Sequence, residues 1–215
     1  MQSSRTEQEA FGHYLIDKAQ EIGVYIDPTS LNNFGERKRK PSGECVVYVD
    51  EAQGLVVKVK DPYAKAPMKG HAASDAIYEH VVHNLLFPNT RYKLLGITKS
   101  TLGEVRFVLE QDYLKDGYEP TTQKQIDKYL VDGLHLRKEG KYWYENEFLA
   151  ITDVDPASDN VLSDDNGNLF FIDPIIKFKK TTKEIISHLS LFSIEEFSQT
   201  YVVEYKLMSN YNNLF

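Results

Sequence analysis

The sequence has almost no cysteine and no long apolar run, and each shortage excludes a class of protein. Cys45 is the one cysteine among 215 residues, so no disulfide can form within the chain. No apolar run approaches the roughly 18 residues that a membrane-spanning helix needs. The first residues lack the apolar core of a signal peptide. These shortages predict a protein that folds in the reducing cytoplasm and has no membrane partner.

Positively charged residues are also fewer than negatively charged ones. The chain carries 25 Lys and Arg residues against 32 Asp and Glu residues, a net charge of −7. Nucleic-acid binding needs clustered positive charge, so we do not expect nucleic acid as a primary partner. The one basic run, residues 37–40, is typical of a solvated loop or an edge strand. With 41% hydrophobic residues, the composition is that of a globular protein with a substantial core.

Hydrophobic periodicity divides the chain into a helical start, a strand-rich first half and a mixed second half. Apolar residues at three- and four-residue spacing predict a leading helix over residues 7–22, within an N-terminal extension at 1–33. The elements predicted next are a hairpin of strands at 44–49 and 55–59, a helix at 72–86, and strands at 92–98 and 104–111. We assign this strand pair, helix and second strand pair to one lobe, residues 34–112.

The second half, residues 113–215, is predicted to form another lobe of short elements. Thr121 and Thr122 are suited to cap a helix that ends near Gly133. The remaining predicted elements are strands at 142–144, 148–151, 161–162 and 169–172, and a helix at 193–205. An Asn-Gly turn joins the last two strands as a hairpin. Together the two halves predict an α+β fold.

Acidic and amide side chains crowd the loop at residues 152–162 and the strand that returns to it. Asp155 and Asn160 lie on this loop, and Asp173 ends the returning strand, so the hairpin would bring Asn160 beside Asp173. Oxygen ligands of this kind suit Mg²⁺, which takes one or two protein groups together with phosphate oxygens. Asp155 is then placed to accept a proton from an incoming hydroxyl, which is the division of labour of phosphoryl transfer.

An EF-hand calcium loop is the other reading of these acidic residues, and the sequence excludes it. In a loop that starts at Asp153, the sixth position is Ser158, where the tight turn needs glycine. The twelfth position is Asp164, where the bidentate ligand should be glutamate.

The acidic segments resemble those of the protein kinases, whose catalytic loop reads Asp-x-x-x-x-Asn and whose metal-binding aspartate follows a short hairpin later. Three segments are similar, more narrowly, to the compact Ser/Thr/Tyr-kinase-like domains of bacterial polyvalent proteins from phages and conjugative elements. They are 84–88 (Asn-Leu-Leu-Phe-Pro), 160–162 (Asn-Val-Leu) and 171–174 (Phe-Ile-Asp-Pro). The resemblance covers about residues 34–178. It implies a compact two-lobed protein-kinase-like fold with an antiparallel N-lobe sheet and a reduced C-lobe.

The resemblance assigns roles in the C-lobe to named residues. It makes Asp155 the catalytic aspartate, Asp173 the principal metal ligand and Asn160 a second ligand of Mg²⁺. Asp153 stays open as an alternative catalytic aspartate, because residues 153–156 resemble Asp-Leu-x-Pro and the loop then carries a two-residue insertion.

The N-lobe is implied to hold ATP. Residues 56–59 resemble the Val-Ala-Ile-Lys strand, so Lys58 is implied to bind the nucleotide phosphates. Its implied partner is Glu79 on the following helix, with Asp75 as the second choice. Gly43 stands where a glycine-rich loop would lie, and the segment around Glu110 is implied to be the hinge that presents backbone groups to adenine. The implied nucleotide-binding residues are Gly43, Lys58, Glu110 and Asp112.

The predicted function is therefore ATP- and Mg²⁺-dependent transfer of a phosphoryl group to a hydroxyl of a protein or small molecule. The segment after Asp173 contains no Ala-Pro-Glu sequence, which implies that the helical substrate platform of typical kinases is missing or rebuilt. Two alternatives stay open. One is a catalytically inactive pseudokinase that acts as a nucleotide- or partner-binding module, and the other is a small-molecule phosphotransferase of the antibiotic type.

Overall fold

Both helices and strands occur in the computed structural model, which describes residues 5–38, 45–64, 73–114, 118–158, 160–189 and 194–209. The elements of the N-terminal half are α1 (Arg5–Glu21), β1 (Glu36–Lys38), β2 (Cys45–Asp50), β3 (Leu55–Lys60), α2 (Glu79–Leu86), β4 (Lys93–Lys99) and β5 (Val105–Asp112). Those of the C-terminal half are β6 (Glu119–Pro120), α3 (Gln123–Asp127), β7 (Arg137–Gly140), β8 (Trp143–Glu145), β9 (Leu149–Thr152), β10 (Val161–Ser163), β11 (Leu169–Phe171), β12 (Ile175–Phe178), α4 (Thr182–Leu189), α5 (Ile194–Thr200) and α6 (Val202–Met208). This mixture confirms the predicted α+β class.

An antiparallel sheet with the strand order β1-β2-β3-β5-β4 forms the N-terminal half. Side chains along a strand alternate between the two faces, and Val57 and Val59 pack with Leu31 on one face. Lys58 and Lys60 therefore share the other face of β3. The sheet confirms the predicted hairpin and strand pair, and β1 shows that the described part of the basic run is an edge strand.

The predicted leading helix is confirmed as α1, which packs against β4 and β5. Its side chains Phe11, Leu15 and Ala19 are buried in the same apolar cluster as those of α2. The helix is therefore part of the core. None of the helices in the described ranges is long and apolar enough to cross a membrane.

Two of the predicted helices are each divided in the structure. The helix predicted over 72–86 begins as a 3₁₀ segment, Ala73–Tyr78, that continues into α2. Its side chains Ala73, Ile77 and Tyr78 are buried in the core. The helix predicted over 193–205 breaks at Tyr201, whose backbone (φ −116°, ψ 59°) is not helical, so that α5 and α6 are separate.

The C-terminal half contains two small sheets, with the strand orders β11-β10-β6 and β12-β9-β8-β7. The predicted hairpin is confirmed as β10 paired with β11, with Val161 opposite Phe171. The predicted cap at Thr122 is confirmed too, because its side chain accepts the backbone N–H of Gln125 in a capping box. Beyond α3 the chain continues as a π-helical turn, Lys128–Gly133. β12 and α4 have no counterpart among the predicted elements.

An apolar cluster runs through both halves, from α1 to α6. At its centre, Phe87 just after α2 stacks on Phe171 of β11, with ring centroids 4.4 Å apart. The lobe boundary predicted after residue 112 falls at the end of β5. The hairpin of β10 and β11 is therefore anchored on the helix of the N-terminal half.

Gly96 of β4 lies against the chain segment that follows α1. Across this contact Ile97 donates its backbone N–H to the Val24 carbonyl (3.1 Å) and accepts one from Ile26 (2.8 Å). A Cβ at position 96 would lie 2.1 Å from the Val24 oxygen, so backbone would have to move. We expect Gly96→Ala to lower the free energy of unfolding by about 1–3 kcal/mol, measured by urea denaturation.

The matched control for this substitution is Gly133→Ala. Position 133 has open space where the new Cβ would stand, and we expect no loss of stability there. Equal stability of the Gly96→Ala protein and the wild type would contradict the close approach of the two backbones.

Candidate functional site

Two loops of the C-terminal half meet where its two small sheets adjoin. The first, residues 153–160, connects β9 to β10, and the second, residues 172–174, connects β11 to β12. β12 pairs with β9, and β11 pairs with β10. Each loop therefore crosses from one strand pair to the other, and the two loops lie at adjacent strand ends. The loops therefore bring Asp153, Asn160 and Asp173 to one place, although up to 20 positions separate them in sequence.

Asp153, rather than Asp155, is the aspartate that contacts Asn160. The Asn160 amide Nδ2 lies 3.0 Å from Asp153 Oδ2 and 3.3 Å from the Asp153 carbonyl oxygen. The Asp155 carboxylate instead accepts the backbone N–H of Ala157 at 2.8 Å and so caps the following turn. Asp153 has a left-handed backbone (φ 63°), which turns the loop so that its own side chain meets Asn160. The contact with Asn160 favours Asp153, the open alternative, over Asp155.

Asn160 and Asp173 are half-buried and are tied together through the backbone. The N–H of Ile172, the residue before Asp173, donates to the Asn160 carbonyl at 2.7 Å. A carboxylate and an amide oxygen are hard ligands, and together with phosphate oxygens they fit Mg²⁺. In the described residues no group of three or more His, Cys, Asp or Glu side chains is arranged to hold a metal. Mg²⁺ that bridges phosphates does not require such a group.

Lys60 pairs with Glu79, which corrects the predicted pairing of Glu79 with Lys58. Lys60 Nζ lies 3.2 Å from Glu79 Oε1, and both side chains are about three-quarters buried. Burial lowers the pKa of the Lys60 ammonium, but the Glu79 and Asp173 carboxylates together raise it more, so its pKa lies above the ordinary value. The ammonium is therefore charged at neutral pH and sits in the field of the C-lobe aspartate.

Lys60 is a candidate site residue that was not predicted from the sequence. Strand periodicity makes Lys60 as eligible as Lys58, because residues two apart lie on one face of a strand. Residues 57–60 fit the Val-x-x-Lys pattern, whereas residues 55–58 begin with Leu55. The position of Glu79, at the first turn of α2, decides between the two lysines.

Lys58 is buried, with 5% of its surface exposed, and its amine is bound within the protein. Its Nζ donates to the Tyr92 hydroxyl (2.7 Å) and to the Ile172 carbonyl (3.2 Å). The ammonium also lies 4.9 Å from the centre of the Tyr92 ring. Lys58 therefore reaches the loop of Asp173 from the N-lobe sheet.

The segment at residues 84–92 holds Tyr92 in place. Asn84 both donates to the Tyr92 carbonyl and accepts its N–H, each at 2.7 Å. The His83 ring lies 4.6 Å from the Tyr92 ring, and burial lowers the pKa of His83 to about 3. A neutral histidine beside the two lysines adds no positive charge near Asp173. Burial also raises the pKa of Tyr92 well above its ordinary value, so its hydroxyl stays protonated.

Family comparison agrees with this geometry. The profile of the Serine/Threonine/Tyrosine Kinase found in polyvalent proteins matches residues 7–180, well over half of the chain. The chain belongs to this family. Comparison with curated proteins and with solved structures gave no match. Membership confirms the predicted resemblance, the kinase-like fold and a kinase-like function in general.

The match to the polyvalent-protein kinase family extends further than the resemblance predicted from sequence. It begins at residue 7, inside α1, whereas the predicted resemblance begins at about residue 34. The burial of Phe11 and Leu15 gives the physical reason, because this helix closes the core of the kinase-like N-lobe.

The remaining predicted residues of the kinase-like domain fall in different places. Gly43 lies outside the described residues. Glu110 lies within β5, opposite Val57 and Lys93 on the two neighbouring strands, so its backbone lies inside the sheet. Asp112 ends β5. Asp75, the second choice of partner for Lys58, accepts a hydrogen bond from Thr182 of α4 at 2.5 Å.

Proposed function

We propose that this kinase-like domain transfers the γ-phosphoryl group of ATP, bound with Mg²⁺, to a hydroxyl group of a protein or small molecule. The observation that carries the proposal is the Lys60–Glu79 ion pair (3.2 Å) on the N-lobe, together with the hydrogen bond from Lys58 of the same sheet face to Ile172, the residue before Asp173. Glu79 on α2 and Asn160 at the start of β10 complete the set. A lysine with a helix glutamate, facing an asparagine and an aspartate, is the constellation that kinases use.

Each of these side chains has one task in the proposed reaction. Lys60, held by Glu79, binds the phosphates of ATP, and Asp173 and Asn160 hold Mg²⁺. Mg²⁺, when bound, neutralises charge on the β- and γ-phosphate oxygens. Asp153 accepts the proton of the acceptor hydroxyl while the hydroxyl oxygen forms a bond to the γ-phosphorus. The bond between the γ-phosphorus and the β–γ bridging oxygen breaks, and ADP is released.

The paired variants Asp153→Asn and Asp155→Asn test this assignment. Asp153→Asn is expected to bind Mg²⁺ and ATP like the wild type and to lose turnover by at least about 10²-fold, the typical effect of losing a general base. Asp155→Asn is expected to keep near wild-type turnover, because asparagine can still cap the turn at Ala157. Turnover is measured with γ-labelled ATP as ATP hydrolysis, autophosphorylation and transfer to added acceptors.

Thermal unfolding with and without Mg²⁺ and ATP separates the alternatives. A rise in Tm that requires both, together with turnover, supports the proposal. A rise in Tm without any turnover would favour the pseudokinase module. Transfer to an added small molecule, but to no protein, would favour the antibiotic-type phosphotransferase. If Asp155→Asn lost turnover and Asp153→Asn kept it, Asp155 would be the catalytic aspartate.

A further inference from the structure

The Lys58 amine contacts the chain at the residue that precedes the proposed metal ligand. Lys58 Nζ and the Tyr92 hydroxyl both donate to the Ile172 carbonyl, at 3.2 and 2.6 Å. Lys58 also donates to the Tyr92 oxygen at 2.7 Å, so the three groups form a closed triangle. A carbonyl that accepts two hydrogen bonds, one from a buried ammonium, is held more firmly than by one neutral donor.

Both backbone groups of Ile172 are thereby fixed, each by a different part of the molecule. Its N–H binds the Asn160 carbonyl of the catalytic loop at 2.7 Å. Its carbonyl binds the Lys58–Tyr92 pair, which belongs to the N-lobe sheet and the segment that leads into β4. The peptide between Ile172 and Asp173 is therefore oriented from the N-lobe.

We propose that Lys58 and Tyr92 are positioning residues that act as one unit to orient the Asp173 loop, and that Lys60 alone is the phosphate-binding lysine. This inference rests on the proposed function, because Asp173 is there the principal ligand of Mg²⁺. Groups that orient a metal ligand commonly change metal affinity by about 10- to 100-fold when they are removed.

The surroundings of Tyr92 support a role that depends on orientation. Its backbone is held by Asn84, its ring is flanked by His83, and its hydroxyl is protonated because burial raises its pKa. A buried ammonium is stable only when it is hydrogen-bonded. Lys58 is therefore stabilised in its position by its bonds to Ile172 and Tyr92.

The test compares Tyr92→Phe, Lys58→Met, the double variant and Lys60→Met. Tyr92→Phe keeps the ring and removes only the hydroxyl. The matched control is Tyr129→Phe, which removes a hydroxyl that donates to the Leu86 carbonyl (2.8 Å) in the same apolar cluster. Two measurements are made on the full chain: amide hydrogen exchange of the segment 169–178 without nucleotide, and Mn²⁺ affinity in the presence of a non-hydrolysable ATP analogue.

We expect Tyr92→Phe and Lys58→Met each to speed exchange in segment 169–178 by about tenfold, the effect of one lost hydrogen bond on local opening. Both should weaken Mn²⁺ binding by about tenfold, the lower end for groups that orient a ligand. The effect in the double variant should be smaller than the two single effects combined, because the residues act together. Lys60→Met should lower nucleotide affinity and leave exchange unchanged, and Tyr129→Phe should leave both measurements unchanged.

Unchanged exchange in both Tyr92→Phe and Lys58→Met would overturn the proposal. So would a Lys58→Met protein that lost nucleotide affinity with wild-type exchange, because Lys58 would then be the phosphate-binding residue. If the wild type bound no Mg²⁺ and ATP while Tyr92→Phe still sped exchange, the proposed function would fail. The role of the Lys58–Tyr92 pair in holding the loop would then stand on its own.

Discussion

An Asp173→Asn variant is expected to lose Mg²⁺-dependent ATP binding and to turn over at the background rate. Asparagine keeps the size of the side chain but removes the negative charge that would bind the metal and that acts on Lys60. Metal ions supply several kcal/mol of transition-state stabilisation, so we expect a loss of about 10⁴-fold or more in turnover. Calorimetric titration of ATP with and without Mg²⁺ measures the binding, and release of labelled phosphate measures the turnover.

Asp164→Asn is the matched control, because it removes one negative charge from the other end of the same hairpin. Asp164 lies in the turn between β10 and β11, where its carboxylate accepts the backbone N–H groups of Asn166 and Asn168. Asparagine can accept these bonds too, so this variant should behave as the wild type. An Asp173→Asn protein with wild-type affinity for Mg²⁺ and ATP would remove Asp173 from the metal site.

A Phe87→Ala variant is expected to lose about 3–5 kcal/mol of the free energy of unfolding, as large aromatic-to-alanine changes in a core do. Phe87 is 2% exposed and stacks on Phe171, with His83 against its edge at 5.2 Å. Removing the ring leaves a cavity between α2 and the hairpin that leads to Asp173. Urea denaturation followed by circular dichroism measures the change.

Leu102→Ala provides the comparison for this loss. Leu102 is 82% exposed, so its truncation should change the free energy of unfolding by no more than about 0.5 kcal/mol. If Phe87→Ala lowered the free energy of unfolding no more than Leu102→Ala does, the stack of Phe87 on Phe171 would not join the two lobes.

Local signals in the sequence were enough to predict the N-lobe sheet. Alternating valines mark β2 and β3, and the turn between them is polar, so both strands and their pairing follow from side-chain period. The same period cannot choose between Lys58 and Lys60, because both lie on one face. The choice depends on where α2 begins relative to β3, which is a tertiary property.

For the acidic loop, too, the sequence predicts one contact and leaves one choice between residues open. The sequence predicts that Asn160 and Asp173 meet, because a hairpin with an Asn-Gly turn connects them. It cannot decide between Asp153 and Asp155, because that depends on the conformation of the loop, in which Asp153 has a left-handed backbone and contacts Asn160. Backbone conformation at one non-glycine residue leaves no mark on hydrophobic periodicity.

Short elements held by distant partners were also missed. β12 has four residues and forms because it pairs with β9, with Ile175 opposite Thr152. α4 carries a local signal that was available: Thr181 and Glu184 bond to each other at its start, and a Thr-x-x-Glu pattern precedes an apolar run. The helix forms because Ile185 and Ile186 then pack in the core.

The part of the chain that packs into one core extends beyond the part that matches the family. The family match stops at residue 180, yet Ile185, Phe197 and Leu207 beyond it are each no more than 1% exposed. Glu204 on α6 binds His80, which is the neighbour of Glu79 in sequence. A chain cut at the homology boundary would open an apolar face on α2 and leave a buried imidazole without its carboxylate. The segment beyond the family match thus holds α2, the helix that carries Glu79, in place.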